Sequence, residues 1–152
     1  MRKISAYLSV KDFDNLINQI DQEIARMDKV ESNVITQLLE QGKLIVMRNI
    51  LKHKVIDTGQ LLDSIRIENY GDSGKIIADT PYAGFVEYGT GVRGVGTHPS
   101  PPPEWEYGNT GWVYYDEDFG FIYTLGQKGK PFFFEAFLEL VNKAKLIGRK
   151  GL

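Results

Sequence analysis

The 152-residue chain has no cysteine, which excludes disulfides, thiol catalysis and cysteine-ligated zinc. Its two histidines, His53 and His98, form no ligand-spaced cluster, so no metal or cofactor is expected. Proline is absent before Pro81, and no apolar run reaches membrane-spanning length. The start Met1-Arg-Lys-Ile-Ser lacks the apolar segment of a secretory signal, so a protein working or assembled in a cytoplasm is expected. Charge is also nearly balanced, with 18 basic against 20 acidic residues, leaving no field to steer nucleic acid or a membrane. What is present is ordinary for one globular domain over residues 1–152: 42% hydrophobic and 25% charged, with a generous 12% aromatic.

Alternation of Ile4, Ala6, Leu8 and Val10 with polar residues predicts a first strand. Asp12 is placed to cap a helix whose stripe runs through Phe13, Leu16, Ile17, Ile20, Ile24 and Met27, then Val34, Leu38, Leu39, Ile45, Val46 and Ile50. Unbroken to His53, that helix would be ~60 Å long. It therefore either breaks near 29–33 or reaches a neighbouring subunit. Gly42 marks either a close contact or a tolerated glycine.

Asp57-Thr58-Gly59 is the triplet of aspartic proteases, in which two such aspartates share a proton and activate water. Leu146-Ile-Gly-Arg149 has the look of the second retroviral-protease motif. The context argues otherwise, because Leu61, Leu62 and Ile65 follow at helical spacing. Asp57 or Thr58 then caps a short helix. Arg66–Tyr70 and Lys75–Asp79 read as a hairpin around Gly71-Asp-Ser-Gly74.

The sequence reads as organised around Thr80-Pro-Tyr-Ala-Gly-Phe-Val-Glu-Tyr-Gly-Thr-Gly91. Tyr82, Phe85 and Val86 share a helical face, and Gly89 with Gly91 ends the turn, which predicts a short aromatic helix launching a loop. The alternative is a buried strand over Phe85–Tyr88. Gly89-Thr-Gly-Val-Arg-Gly94 matches a dinucleotide fingerprint, but the prolines beyond it deny the helix that phosphate binding requires.

Residues 91–111 then read as a long Gly/Pro loop carrying Trp105 and Tyr107, with Trp112 beyond, a segment suited to ordering against a partner. The expected interaction residues are Tyr82, Phe85, Glu87, Tyr88, Val92, Arg93, Trp105, Tyr107 and Trp112. Trp105→Ala and Trp112→Ala are expected to weaken assembly while sparing the monomer. A sugar platform is the alternative, with Glu104, Glu106 and Asp116–Asp118 as carboxylates. Trp112–Asp116 and Phe119–Thr124 form a second hairpin. Pro131 opens a C-terminal helix whose core face is read as Phe133, Phe134, Phe137, Leu138, Val141 and Ala144, with basic residues at its end. The fold class is α+β: a long N-terminal helix, two antiparallel hairpins forming a small sheet, and a C-terminal helix packed on it.

The motif order resembles a family of small tailed-phage proteins. It runs from Asp57-Thr-Gly59 with Leu61 and Ser64-Ile65, through Tyr82-Ala and Phe85-Val-Glu-Tyr-Gly-Thr-Gly91. A tryptophan-bearing loop follows, then Tyr123-Thr, Gly126-Gln and Pro131-Phe. These are the neck or tail-completion proteins, also described as head–tail joining or minor structural proteins. The resemblance spans about Val55–Val141; residues 101–118 match least well. It implies a non-enzymatic virion protein, assembled in the bacterial host. Its partners would be copies of itself and neighbouring connector, neck or tail proteins, with Asp57, Thr58, Gly59, Gly89, Gly91 and Pro131 as structural motif positions.

Overall fold

A computed structural model describes residues 10–27, 34–55 and 58–150. The expected strand over residues 4–10 falls almost wholly outside them; Val10 itself is helical. The fold is α+β, as read from the sequence. Helix α1 spans Val10–Met27 and α2 spans Val34–Lys52. Gln37 Nε2 donates to the Met27 carbonyl (2.9 Å) and Arg48 reaches Asp21 (3.0 Å), so the two helices pack side by side and antiparallel. The apolar stripe is thus folded back on itself, which removes the need for a neighbour to cover a ~60 Å rod. Asp12 lies inside the first turn of α1 rather than capping it, where its carboxylate still suits the positive end of the helix.

The packing hub is α2 rather than the stretch at 80–91. Its residues Gln41, Gly42, Ile45, Val46, Asn49, Ile50 and Leu51 are buried, and so dense a burial means cover on several sides. Helix α6, Phe132–Lys150, lies against α2: Asn49 Nδ2 donates to the Phe132 carbonyl, and Arg48 pairs with Glu139. Strands β1 (Ile65–Asn69) and β2 (Gly74–Ala78) form the expected hairpin in the register Ile65↔Ala78 to Asn69↔Gly74. Gly42 is where α2, β2 and α6 converge. A Cβ there would stand 2.5 Å from the Ile76 side chain and 3.0 Å from Leu140, so the close-contact reading holds.

Helix α3, Thr58–Asp63, inserts fully buried Leu61 into the core beside Ile65. Asp57 and the side chain of Thr58 lie outside what is described, and the proposed cap with them. Helix α4, Ala83–Tyr88, realises the short aromatic helix in place of the alternative strand. Gly89 ends it at φ 83°, a left-handed-side conformation that a side chain rarely adopts.

Three features differ from expectation. First, the hairpins do not merge into one sheet. Among the described residues, strands β4 (Trp112–Asp116) and β5 (Gly120–Thr124) pair only with each other. A separate two-residue ladder joins β3 (Gly89–Thr90) to β6 (Gln127–Lys128), a pairing too short to leave a period-two pattern. Second, α6 packs mainly on α2. Third, its core face is set by Phe132 and Ala136, both buried, while Phe137 and Leu138 are exposed. The bond from Asn49 to the Phe132 carbonyl helps set the rotation of α6, so the inward stripe begins one residue earlier than read.

Candidate functional site

Two neighbouring regions carry the residues singled out in the sequence. The first is a latch built on α4. Glu87, 5% exposed, accepts the backbone N–H groups of Phe133 (2.8 Å) and Phe134 (2.9 Å), two of the donors that the start of α6 leaves without helical partners. Its carboxylate also suits the positive end of that helix. The same carboxylate bonds His98 Nε2 at 2.9 Å. The Ser100 amide donates to His98 Nδ1 (3.0 Å), which assigns the imidazole proton to Nε2 as donor to Glu87. The ring of His98 lies edge-on between Tyr88 (4.8 Å) and Phe134 (5.2 Å).

Around this latch the loop after α4 is tied to its own chain. Gly91–Gly94 forms one helical turn, α5, which ends where a dinucleotide fingerprint would begin a helix. Thr97 Oγ1 accepts the Gly129 amide at 2.8 Å. Trp105 packs on Phe85 and Tyr88 (centroids 5.7 and 4.9 Å) and donates from Nε1 to the Gly89 carbonyl. Tyr107 donates its hydroxyl to the Tyr88 carbonyl. These two aromatics thereby satisfy carbonyls at the C-terminal end of α4. A loop expected to order only against a neighbour is therefore already ordered within the chain. Burial raises the Tyr88 phenol above its ordinary range, with Glu87, Glu104 and Tyr107 adding to the rise.

The second region is the β4–β5 ribbon and the space at its root. An open cavity of about 700 Å³ is lined by Tyr82, Phe85, Tyr107, Trp112, Tyr114 and Lys128, among others. In the register Trp112↔Thr124, Val113↔Tyr123, Tyr114↔Ile122 and Tyr115↔Phe121, alternate residues share a face. Trp112, Tyr114 and Thr124 line the cavity. The opposite face is Val113, Tyr115, Phe121 and Tyr123, at 59, 64, 81 and 64% exposure, with Phe119 at the turn 81% exposed. Both faces of the ribbon thus carry apolar residues, and among the described residues the outer one is mostly exposed.

The expected interaction residues divide between these regions. Tyr82, Phe85, Tyr107 and Trp112 converge on the cavity; Tyr88 and Trp105 stack in the latch. Val92 and Arg93 are exposed on α5. Glu87 is buried and acts on α6, so it offers nothing to a partner directly. Gly59 lies exposed on α3, which continues as helix where a protease would turn to strand. Asp116 Oδ1 accepts the amides of Asp118 and Phe119, which makes it a turn-closing carboxylate. Sequence reasoning missed His98 as a latch member and Tyr115, Phe119, Phe121 and Tyr123 as an exposed face. The signal for the latter was present: apolar residues at consecutive rather than alternate positions in a lone hairpin leave no polar face.

Among the described residues no three His, Asp or Glu side chains converge as metal ligands, and no helix is long and apolar enough to cross a membrane. Compared with protein-family models, curated proteins and solved structures, the chain matches none.

Proposed function

We propose that this chain is a non-enzymatic structural protein of a tailed-phage particle, acting at the head–tail junction or the tail end by assembling with copies of itself and with neighbouring connector, neck or tail proteins. The observation that carries the reading is the β4–β5 ribbon. A two-stranded hairpin alone is marginal in water, and an aromatic face of this size is costly to leave wet, so the ribbon is suited to burial against another protein. The motif order over Val55–Val141 supplies the particular setting. The mechanism is geometric: a body held by α2, α6 and the Glu87 latch presents a ribbon of fixed root to a neighbour.

Disrupting the gene in its phage and viewing the induced lysate by electron microscopy tests the proposal. Filled heads lying beside unjoined or misfinished tails are expected. Unprocessed, empty proheads would instead favour a protease acting through Asp57. Intact particles that fail only to infect would favour a carbohydrate-binding aromatic surface.

A further inference from the structure

Among the described residues the outer face of the ribbon is mostly exposed and the cavity stands open. The cavity is lined by the root of the ribbon, Trp112, Tyr114 and Thr124, while the tip residues Phe119 and Phe121 do not line it. We infer that the ribbon tip and outer face of one copy seat in the cavity of a second copy, so that each copy offers a ribbon and receives one. This inference rests on the assembly reading given above and names the surfaces that would carry it.

Three features support that occupant. In size, the cavity of about 700 Å³ has room for several large side chains. In area, Tyr115, Phe119, Phe121 and Tyr123 are each 64–81% exposed. At ~150–250 Å² for a whole aromatic side chain they offer roughly 400–700 Å², most of the ~800 Å² per partner of a standard interface. In charge, the ribbon turn carries Glu117 and Asp118, while the cavity wall carries Lys128 and Lys130 against one carboxylate, Glu106. Acidic turn and basic wall favour this pairing over ribbon against ribbon, which would bring two acidic turns together. The two surfaces differ, so the contact is either exchanged reciprocally in a closed pair or propagates head to tail as a ring or filament.

The absence of native cysteine makes the contact directly readable. Chains carrying F119C and, separately, K128C are mixed and treated with a short thiol-specific cross-linker. Both substitutions lie at exposed positions. The expected product is a mixed F119C–K128C adduct exceeding either like-with-like adduct. In parallel, F119D/F121D should weaken self-association of the full chain in sedimentation by ~10-fold or more. A dominant F119C–F119C adduct would overturn the inference in favour of a symmetric ribbon contact. So would an oligomer giving no mixed adduct, or a wild-type chain that stays monomeric at high concentration. Unjoined heads and tails after gene disruption, without the mixed adduct, would leave the assembly reading standing and remove this one. The adduct together with normal particles would do the reverse.

Discussion

The latch and the ribbon are made of the same materials, aromatic rings and carboxylates, and put them to opposite ends. In the latch every ring has a neighbour and every carboxylate oxygen a donor: Glu87 holds the start of α6 and His98, while Tyr88, Trp105 and Phe134 pack around them. In the ribbon, Tyr115 meets Phe121 at 5.3 Å, and among the described residues the outer face is mostly exposed. Composition alone therefore does not say whether an aromatic-rich segment is core or contact. What separates the two is the number of backbone anchors. The loop at 91–107 has anchors on α4 and on residues 125 and 129, whereas the ribbon's ladder is satisfied internally.

The sharpest way to break this contrast is at Glu87. Glu87→Ala leaves the Phe133 and Phe134 amides and His98 Nε2 without their acceptor, and buried unpaired donors at ~1–3 kcal/mol each predict a loss of ~3 kcal/mol or more. Chemical denaturation measures it, and Glu87→Gln, which keeps one oxygen, should lose less. A cost near zero would show that α6 does not depend on the latch.

Trp105→Ala comes next. The half-buried ring and its bond to the Gly89 carbonyl predict a stability loss of ~1–3 kcal/mol, read as a lower melting temperature. This replaces the expectation from sequence that Trp105 would be silent in the monomer. An unchanged melting temperature would return the loop to the partner-dependent class.

Ribbon substitutions should behave in the other direction. Phe121→Ser is expected to move monomer stability by no more than ~0.5 kcal/mol, because little of that ring is buried. A large loss in thermal unfolding would mean that the ribbon is part of the folded body. The smallest effect concerns Tyr88. Its folded pKa lies above the ordinary 10.0, so the folded chain holds that proton where the unfolded chain has released it. Stability from this group is therefore complete below pH ~10 and declines as pH rises towards the folded value. A difference absorbance titration of wild type against Tyr88→Phe should show one late-ionising phenol.

Much of the fold was legible in the sequence. The apolar stripes of α1 and α2, the β1–β2 hairpin with its glycine-bearing turn, the short helix ended by Gly89 and the β4–β5 hairpin all follow from local period and turn chemistry. The site was less legible. Tyr82, Phe85, Tyr107 and Trp112 were singled out and do converge on one cavity, but Glu87 was assigned to a partner and is buried under α6. A carboxylate on a short helix looks the same whether it faces water or the end of another helix 46 residues away in the chain.

The sequence by itself determined where most of the helices and turns fall, and that thiol chemistry is excluded. Those properties depend on residues within a turn or two of one another and on simple counts. Only the tertiary structure decided that α1 folds back on α2, that Phe132 rather than Phe137 enters the core, that Glu87 and His98 close a latch, and that the β4–β5 ribbon keeps one face free. Each depends on contacts between residues far apart in the chain. Such contacts are chosen by competition among many apolar surfaces, which no local pattern ranks.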